Sequence, residues 1–437
     1  MSTTIQNKIN QTINRKIAPP IVDAVNFNLI LKPYKQFNLD NGIPVYTINA
    51  GAQDVIQIEL VFFAGNSYEE QKGIAATTNF MLKNGTKNKT ALQINEAFEY
   101  YGSYCTRACY NETSTLSLHT LTKQLDHLLP VMTEMLTDSI FPEQELDIYK
   151  QNSKQRLAVN LQKAEFVAGR LIDSYLYGDT HPYGKYTNAE DIDAITTDAL
   201  KAFYKNYYLQ GRAALFVSGN LPVDIEKKLN DAFGKLALSA PDYKNPFIAA
   251  TPVSETKFRI QNDAAAVQGA IRLASPFPNR HHPDFKKVMV LNNIFGGFFG
   301  SRLMANIRED KGYTYGIHSY LHNHIQQSAW VVSTEAGKDV CEVTIEEVYR
   351  EMKILREELV DEEELLLVRN YMMGSILGDL DGPFHIMAKW KNIILNNLDE
   401  NYFYESVKAI RETSAEELKA LANEYLLPEK FYELVVY

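Results

Sequence analysis

The chain is short of cysteine, of positive charge and of long apolar runs. Three cysteines in 437 residues cannot build a disulfide framework. Cys105 and Cys109 make a lone C-x3-C, which without a second pair reads as two ordinary strand cysteines rather than a zinc half-site. So few cysteines fit a reducing compartment, and a cytoplasmic location is expected. Lys and Arg total 44 against 54 Asp and Glu, a net charge of −10. That balance excludes a nucleic-acid surface and a basic stripe for anionic lipid. No apolar run is long enough to span a bilayer, so no membrane partner is expected. The N-terminus has no signal-peptide core. No G-x-S-x-G elbow appears, and Gly296, Gly297 and Gly300 lack the lysine or the Rossmann setting of a phosphate cradle.

What is present supports large cores: 45% of residues are hydrophobic and 11% aromatic. The length suits two to four domains. Residues 1–32 form an arm striped by Ile5, Ile9, Ile13 and Ile17, with no acid before Asp23. A transit peptide would be acid-poor in this way, but this arm has little arginine and much asparagine. A short helix that packs on the body or on a partner, ended by Pro19 and Pro20, is the better reading.

The rest of the chain repeats one pattern. FNLDNGIPVYTIN is a hairpin around Asn41-Gly42, followed by the strand VIQIELVFFAG. Helices are expected at roughly 73–83 and 91–101, a strand at 114–121 and a helix at 124–136. The order recurs from Lys257: strand VQGAIRLASPF, helices at 284–295 and 301–310, strand 329–334, helix 340–359. Both halves end on a helix, a turn and a strand, in ALKAFYKNYYLQGRAALFVSGNL and ELKALANEYLLPEKFYELVVY. Residues 237–255 hold three prolines and no period, as a linker would. The expectation is an α+β protein of two homologous modules, 33–236 and 256–437. Each would have a mostly antiparallel sheet with helices packed on one face.

Residues 73–86, GIAATTNFMLKNGT, form a helix closed by a glycine. Positions 76 and 80 share a helix face, with 79 beside them. The stretch resembles the zinc helix of the inverted zincins, the pitrilysin/insulinase peptidases, whose motif is H-x-x-E-H. On that frame Ala76, Asn79 and Phe80 stand where His, Glu and His would be. Alanine and phenylalanine have no lone pair for zinc, and asparagine is no general base. The family's third ligand is a glutamate about seventy-five residues on, which falls near Gln155 and Arg156, and Ile148 through Ala164 contains no acid. The resemblance therefore implies no metal in this chain.

The likeness extends along most of the chain. FNLDNGIPV, LVFFAGNSYE, GDTHPYGKY at 178–186 and GFFGSRLMANIREDKGYTYGI at 297–317 resemble family segments in the family's order. It implies a half-clamshell of two modules and an edge strand at Gly102–Asn111 that pairs with substrate. It also assigns Arg308 and Tyr315 as a pair that holds the peptide backbone and its oxyanion opposite the zinc. In some members the two halves of the enzyme are separate chains. This profile is that of the zinc-less one. A partner with H-x-x-E-H would supply the zinc, this chain would be inactive alone, and together they would cleave unfolded peptides as a metalloendopeptidase. A homodimer is possible in isolation, and a non-enzymatic scaffold or peptide-binding subunit is the alternative. Other histidines read more plainly. His181 looks like a turn residue, His281 and His282 like solvated loop residues. His318, His322 and His324, with Tyr320, alternate along a strand, and an outer hairpin explains them better than a metal cluster.

Overall fold

The structure, a computed structural model, describes residues 29–243 and 247–437; the isoleucine-striped part of the arm lies outside the described residues. The first half contains strands β1 (Lys35–Asn38), β2 (Pro44–Asn49) and β3 (Val55–Phe62), then helices α1 (Ile74–Met81) and α2 (Ala91–Glu99). Strands β4 (Tyr104–Cys109) and β5 (Ser114–Leu121) follow, then α3 (Leu125–Thr137), α4 (Glu143–Asn160), α5 (Ala164–Tyr177), α6 (Ala189–Ala194) and α7 (Thr197–Tyr204). Strand β6 (Ala213–Gly219) and helix α8 (Ile225–Phe233) close it. The second half runs β7 (Lys257–Ile260), β8 (Gln268–Phe277), α9 (Phe285–Asn292), β9 (Thr314–Asn323) and β10 (Ser328–Gly337). It continues through α10 (Cys341–Glu357), α11 (Glu362–Gly378), α12 (Gly382–Leu395), α13 (Asn401–Glu412) and α14 (Ala415–Tyr425) to β11 (Tyr432–Val436).

The two sheets have one topology. The first is ordered β1-β2-β6-β3-β5-β4 and the second β7-β11-β8-β10-β9. Each contains a single parallel pairing, β2 with β6 and β7 with β11; the other pairings are antiparallel. So β7, β11, β8, β10 and β9 repeat β2, β6, β3, β5 and β4, and β1 is an addition. That addition is the hairpin read at Asn41-Gly42. Gly42 takes φ 84°, which a residue with a Cβ rarely adopts. The Asn41 amide ties the turn down by donating to the carbonyls of Phe233 and Leu236, both at 2.9 Å.

Each sheet packs its own helices on one face. In the first, Ile56, Ile58, Leu60 and Phe62 of β3 point into a core with Met81, Phe98, Leu128 and Met132. The opposite faces are covered by exchange, which sequence periodicity did not foresee. Helix α5, from the first half, lies on β8 and β11 of the second sheet, packing Ala168, Ile172 and Leu176 against Ala270, Ala274 and Leu434. Helix α12, from the second half, lies on β2 and β6 of the first sheet, where Trp390 and Met387 join Tyr46, Ile48 and Phe216. Strands covered on both faces lose the alternation of a half-buried strand, which explains the unbroken burial of Ala213–Gly219. The exchange is pinned by polar contacts: Lys391 donates to both carboxylate oxygens of Glu59 at 2.8 and 2.9 Å, and Trp390 Nε1 donates to the Lys32 carbonyl at 2.8 Å. The segment after α8 runs along this body, its backbone bonded at Thr251 to Tyr177 and at Val253 to Tyr175.

Candidate functional site

Helix α1 packs between the sheet and α7 with Ile74, Ala75 and Met81 buried. It starts after Gly73 in the left-handed region (φ 86°) and is anchored by Glu69, whose Oε2 accepts from the Ala75 amide at 2.9 Å. Glu69 in turn pairs with Lys185 at 3.1 Å. Asn79 is 2% exposed, and its Nδ2 donates to the Thr115 carbonyl of β5 at 3.1 Å. The carboxamide at the motif's glutamate position is thus a bracket between helix and sheet. Phe80 packs its ring against Tyr149 of α4, with centroids 4.8 Å apart. The guanidinium of Arg107, on edge strand β4, lies over the Phe80 ring, 4.6 Å from its centroid. It donates to the Phe80 carbonyl and to Asn84 Oδ1, the latter at 3.4 Å. Arg107 therefore caps the last turn of α1, where a cation is favoured. Burial pulls its pKa below the usual arginine value.

The chemistry of this spot is an arginine–aromatic plug. None of its side chains offers a lone pair suited to zinc, and a guanidinium beside the position opposes a second cation. Gln155 and Arg156 are exposed on α4, and Arg156 donates to Ser153 of its own helix. Among the described residues no group of three or more His, Cys, Asp or Glu side chains stands close enough to hold a metal ion. Cys105 and Cys109 face inward on β4 and are free; burial pushes their thiols up to about 11 and about 12. The plug was not foreseen. Its signal was there in β4, where an arginine sits between two inward cysteines at alternating positions.

The second half carries the Arg308 and Tyr315 positions. Helix α9 runs into a π-helical turn, Asn293–Gly297, and a second π-helical segment, Met304–Asp310, carries Arg308. Such turns are rare and often mark functional sites. Within the first of them Gly296 packs so closely on β9 that a Cβ would stand 2.7 Å from that of Ser319. Phe298 stacks on Tyr371 of α11 at 4.6 Å, while Phe299 is 62% exposed. The Arg308 guanidinium lies over the Phe299 ring at 4.6 Å, with Glu309 at 3.9 Å. Tyr315 is 93% exposed. It owes this to a β-bulge: Thr334 pairs with Ile317 but Ala336 pairs with Thr314, so β9 carries one extra residue there. Thr334 Oγ1 donates to the Gly316 carbonyl at 2.9 Å and Thr314 Oγ1 to the Glu335 carbonyl at 2.7 Å, which fixes the bulge. Tyr315 thus presents its phenol at the start of edge strand β9, while Arg308 is half-buried on the preceding π-helical segment.

The other histidines named above form no metal cluster among the described residues. The Tyr183 amide donates to His181 Nδ1 at 3.1 Å, so the proton sits on Nε2, which meets the Ile248 carbonyl at 3.0 Å. His318 and Tyr320 are exposed, while His322 lies 3.8 Å from Asp173. His324 stacks on Tyr183 at 4.0 Å, and burial pushes its pKa down to about 3. His281 is exposed yet bonded to the Asn396 carbonyl at 2.8 Å. Strand β4 is the outer strand of its sheet, with one side of its ladder unpaired.

Comparison with known proteins agrees with this geometry. Residues 45–182 match the model of the insulinase family (peptidase family M16), and residues 194–372 match that of the peptidase M16 inactive domain. A Rickettsia felis protein described as an uncharacterized zinc protease is 26% identical over 344 residues, 78% of this chain and 82% of that protein. A Helicobacter pylori protein described as a non-peptidase homolog, YmxG, is 24% identical over 331 residues, 73% of this chain and 74% of that one. A crystal structure of a peptidase M16 inactive domain from Pseudomonas fluorescens superposes with a TM-score of 0.82 at 24% identity, covering 92% of this chain and 98% of that one. With the repeated sheets, the matched segments in both halves and the frame of the emptied helix, the chain belongs to the insulinase family of peptidases, family M16.

Proposed function

We propose that the chain is the non-catalytic subunit of a two-chain zinc metallopeptidase. In this reading it supplies Arg308 and Tyr315 to hold a peptide against a partner's zinc. The observation that carries the reading is the contrast within one molecule. The motif helix has aromatic and amide groups locked into packing, whereas Tyr315 stands out on a bulge and Arg308, half-buried on a π-helical segment, lies over the exposed Phe299. A guanidinium and a phenol can donate to peptide carbonyls, and the phenol can stabilise a developing oxyanion. Residues 33–236 and 256–437 would then form one wall of a chamber, closed by a homologous chain carrying H-x-x-E-H. The test is to co-purify the chain with such a partner and assay cleavage of an unfolded peptide. Activity that requires both chains, together with a metal content of one zinc per pair, supports the reading. Zinc bound tightly by this chain alone, or chelator-sensitive proteolysis by it alone, would sink it.

A second reading is a scaffold that binds or assembles without any part in cleavage. The description of the Helicobacter pylori relative as a non-peptidase homolog favours it. It predicts that the assembled complex is indifferent to changes at Arg308 and Tyr315.

A further inference from the structure

Two exposed helix faces carry no charge along their length, and they occupy equivalent places in the two halves. Helix α4 follows β5 and α3, and α11 follows β10 and α10. In its 18 residues α4 buries only Leu146. A surface helix ordinarily buries one stripe and charges the opposite face. The outward face of α4 instead presents Ile148, Asn152, Gln155 and Val159, all exposed, at the i, i+4, i+7, i+11 spacing of one stripe. Lys150 and Lys154 turn to its flank, where both bond Asp193 of α6. Helix α11 buries Leu365, Val368, Met372 and Met373 on one side. Its other side presents Leu367, Tyr371, Gly374 and Gly378 at the same spacing, all exposed. Leu366 and Leu377 flank them, and the four large side chains of this face are 43–54% exposed. Between Leu365 and Gly378 the one charged residue, Arg369, is half-buried and donates to the Thr413 carbonyl at 2.9 Å.

A continuous apolar face in water marks a contact surface, and depletion of charge marks the centre of an interface. The two faces fit each other. Each stripe runs about 17 Å along its helix, at a rise of about 1.5 Å per residue. Set antiparallel, Val159 meets Leu367, Gln155 meets the Tyr371 phenol, and Asn152 and Ile148 come down on Gly374 and Gly378. A Cβ at either glycine would have nothing within 4 Å, so another helix can approach closely there. The helix ends decide the direction. Exposed Glu362 and Glu363 open α11, while exposed Arg156 and Lys163 lie at the close of α4. The antiparallel setting brings these opposite charges together. A parallel setting would put the same acids beside Glu143, Glu145 and Asp147 at the start of α4. Within one molecule both faces stay exposed, so the contact lies between molecules.

We propose that the chain pairs with a second copy of itself through these faces, α4 of each molecule lying antiparallel on α11 of the other. A twofold axis makes the contact twice, since each copy supplies one helix of each kind. The repeat of the fold suits this, because it sets the two helices at corresponding positions of the two modules. The pairing calls on no zinc-bearing partner and no cleavage, so it holds or fails separately from the proposed function.

The test is sedimentation velocity on the full chain across a concentration series. The wild type should dimerise with a Kd on the order of 1–10 μM. Gly374→Arg places bulk and charge at the centre of the contact and should weaken the dimer about a hundredfold. That position is open and helical, so the thermal unfolding of the monomer should be unchanged or improved. Lys163→Glu should weaken the dimer about tenfold, and adding Glu363→Lys to the same chain should restore it. A chain that stays monomeric at about 0.1 mM overturns the proposal. So does a dimer indifferent to Gly374→Arg, which would place its interface elsewhere. A Lys163→Glu loss that Glu363→Lys does not restore overturns the antiparallel contact.

Discussion

The two halves share a topology and have disposed of their polar groups in opposite ways. In the first, Asn79 is turned inward and spent on the Thr115 carbonyl, and Arg107 is folded down onto Phe80. In the second, Asn292 does the equivalent structural work by donating to the Ser319 carbonyl at 3.1 Å, yet Tyr315 is held out of the fold and Arg308 rests over the exposed Phe299. Burial with a partner accounts for a polar residue by stability alone. Exposure maintained by a bulge and two π-helical turns is not explained by stability, because those devices break regular hydrogen bonding. The contrast separates what the fold needs from what it presents.

The sharpest way to break that comparison is in the two-chain complex proposed above. Arg308→Ala or Tyr315→Phe should lower kcat/KM by about 10²–10³-fold, the scale of a lost oxyanion or positioning donor, with an unchanged unfolding midpoint. Unchanged turnover would reduce the second half to scaffold. Next in size is an attempt to refill the first half. The triple change Ala76→His, Asn79→Glu and Phe80→His should still fail to bind stoichiometric zinc by calorimetry, since α4 lends no carboxylate there and Arg107 remains. Tight zinc binding by that variant would show the site to be dormant rather than dismantled.

Smaller effects test the structural side. Asn79→Ala should cost about 1–3 kcal/mol in denaturant unfolding, because it strands a buried carbonyl, and should leave the activity of the complex intact. Arg107→Ala should cost about 1–2 kcal/mol through the lost cap and the lost cation–π contact. The smallest concerns pH. Burial raises the Glu112 carboxyl above its ordinary range, against the opposing hydrogen bond from Tyr183. The folded state then holds that proton longer than the unfolded chain, so this group's contribution to stability is greatest at low pH. It declines as pH rises through the ordinary carboxylate range to the raised value. Glu112→Gln should flatten that part of the unfolding midpoint's pH profile; a profile parallel to wild type would remove Glu112 from the account.

Much of this was legible in the residues. The hairpin at Asn41-Gly42, the strand at 114–121 and the helix expected at 91–101 carry local signals, and the structure forms each, the last over Ala91–Glu99 with a Thr90–Gln93 capping box that the sequence reading did not use. The emptied motif was legible because loss of a ligand is a change of residue type at one position. The plug was not, since it depends on which strand residue meets the end of α1. Nor was the bulge at Tyr315, where spacing gives no sign that Thr314 and Thr334 hold one extra residue. The π-helical turns were read as an ordinary helix and loop. The exchange of α5 and α12 escaped most completely, because both helices are amphipathic and periodicity says nothing of which sheet they cover.

That exchange has a consequence for autonomy. Either half standing alone would expose one face of its own sheet and carry a helix with nothing to cover. Neither sheet is covered on both faces without a helix lent by the other half, so the two cannot be parted without uncovering apolar surface on both.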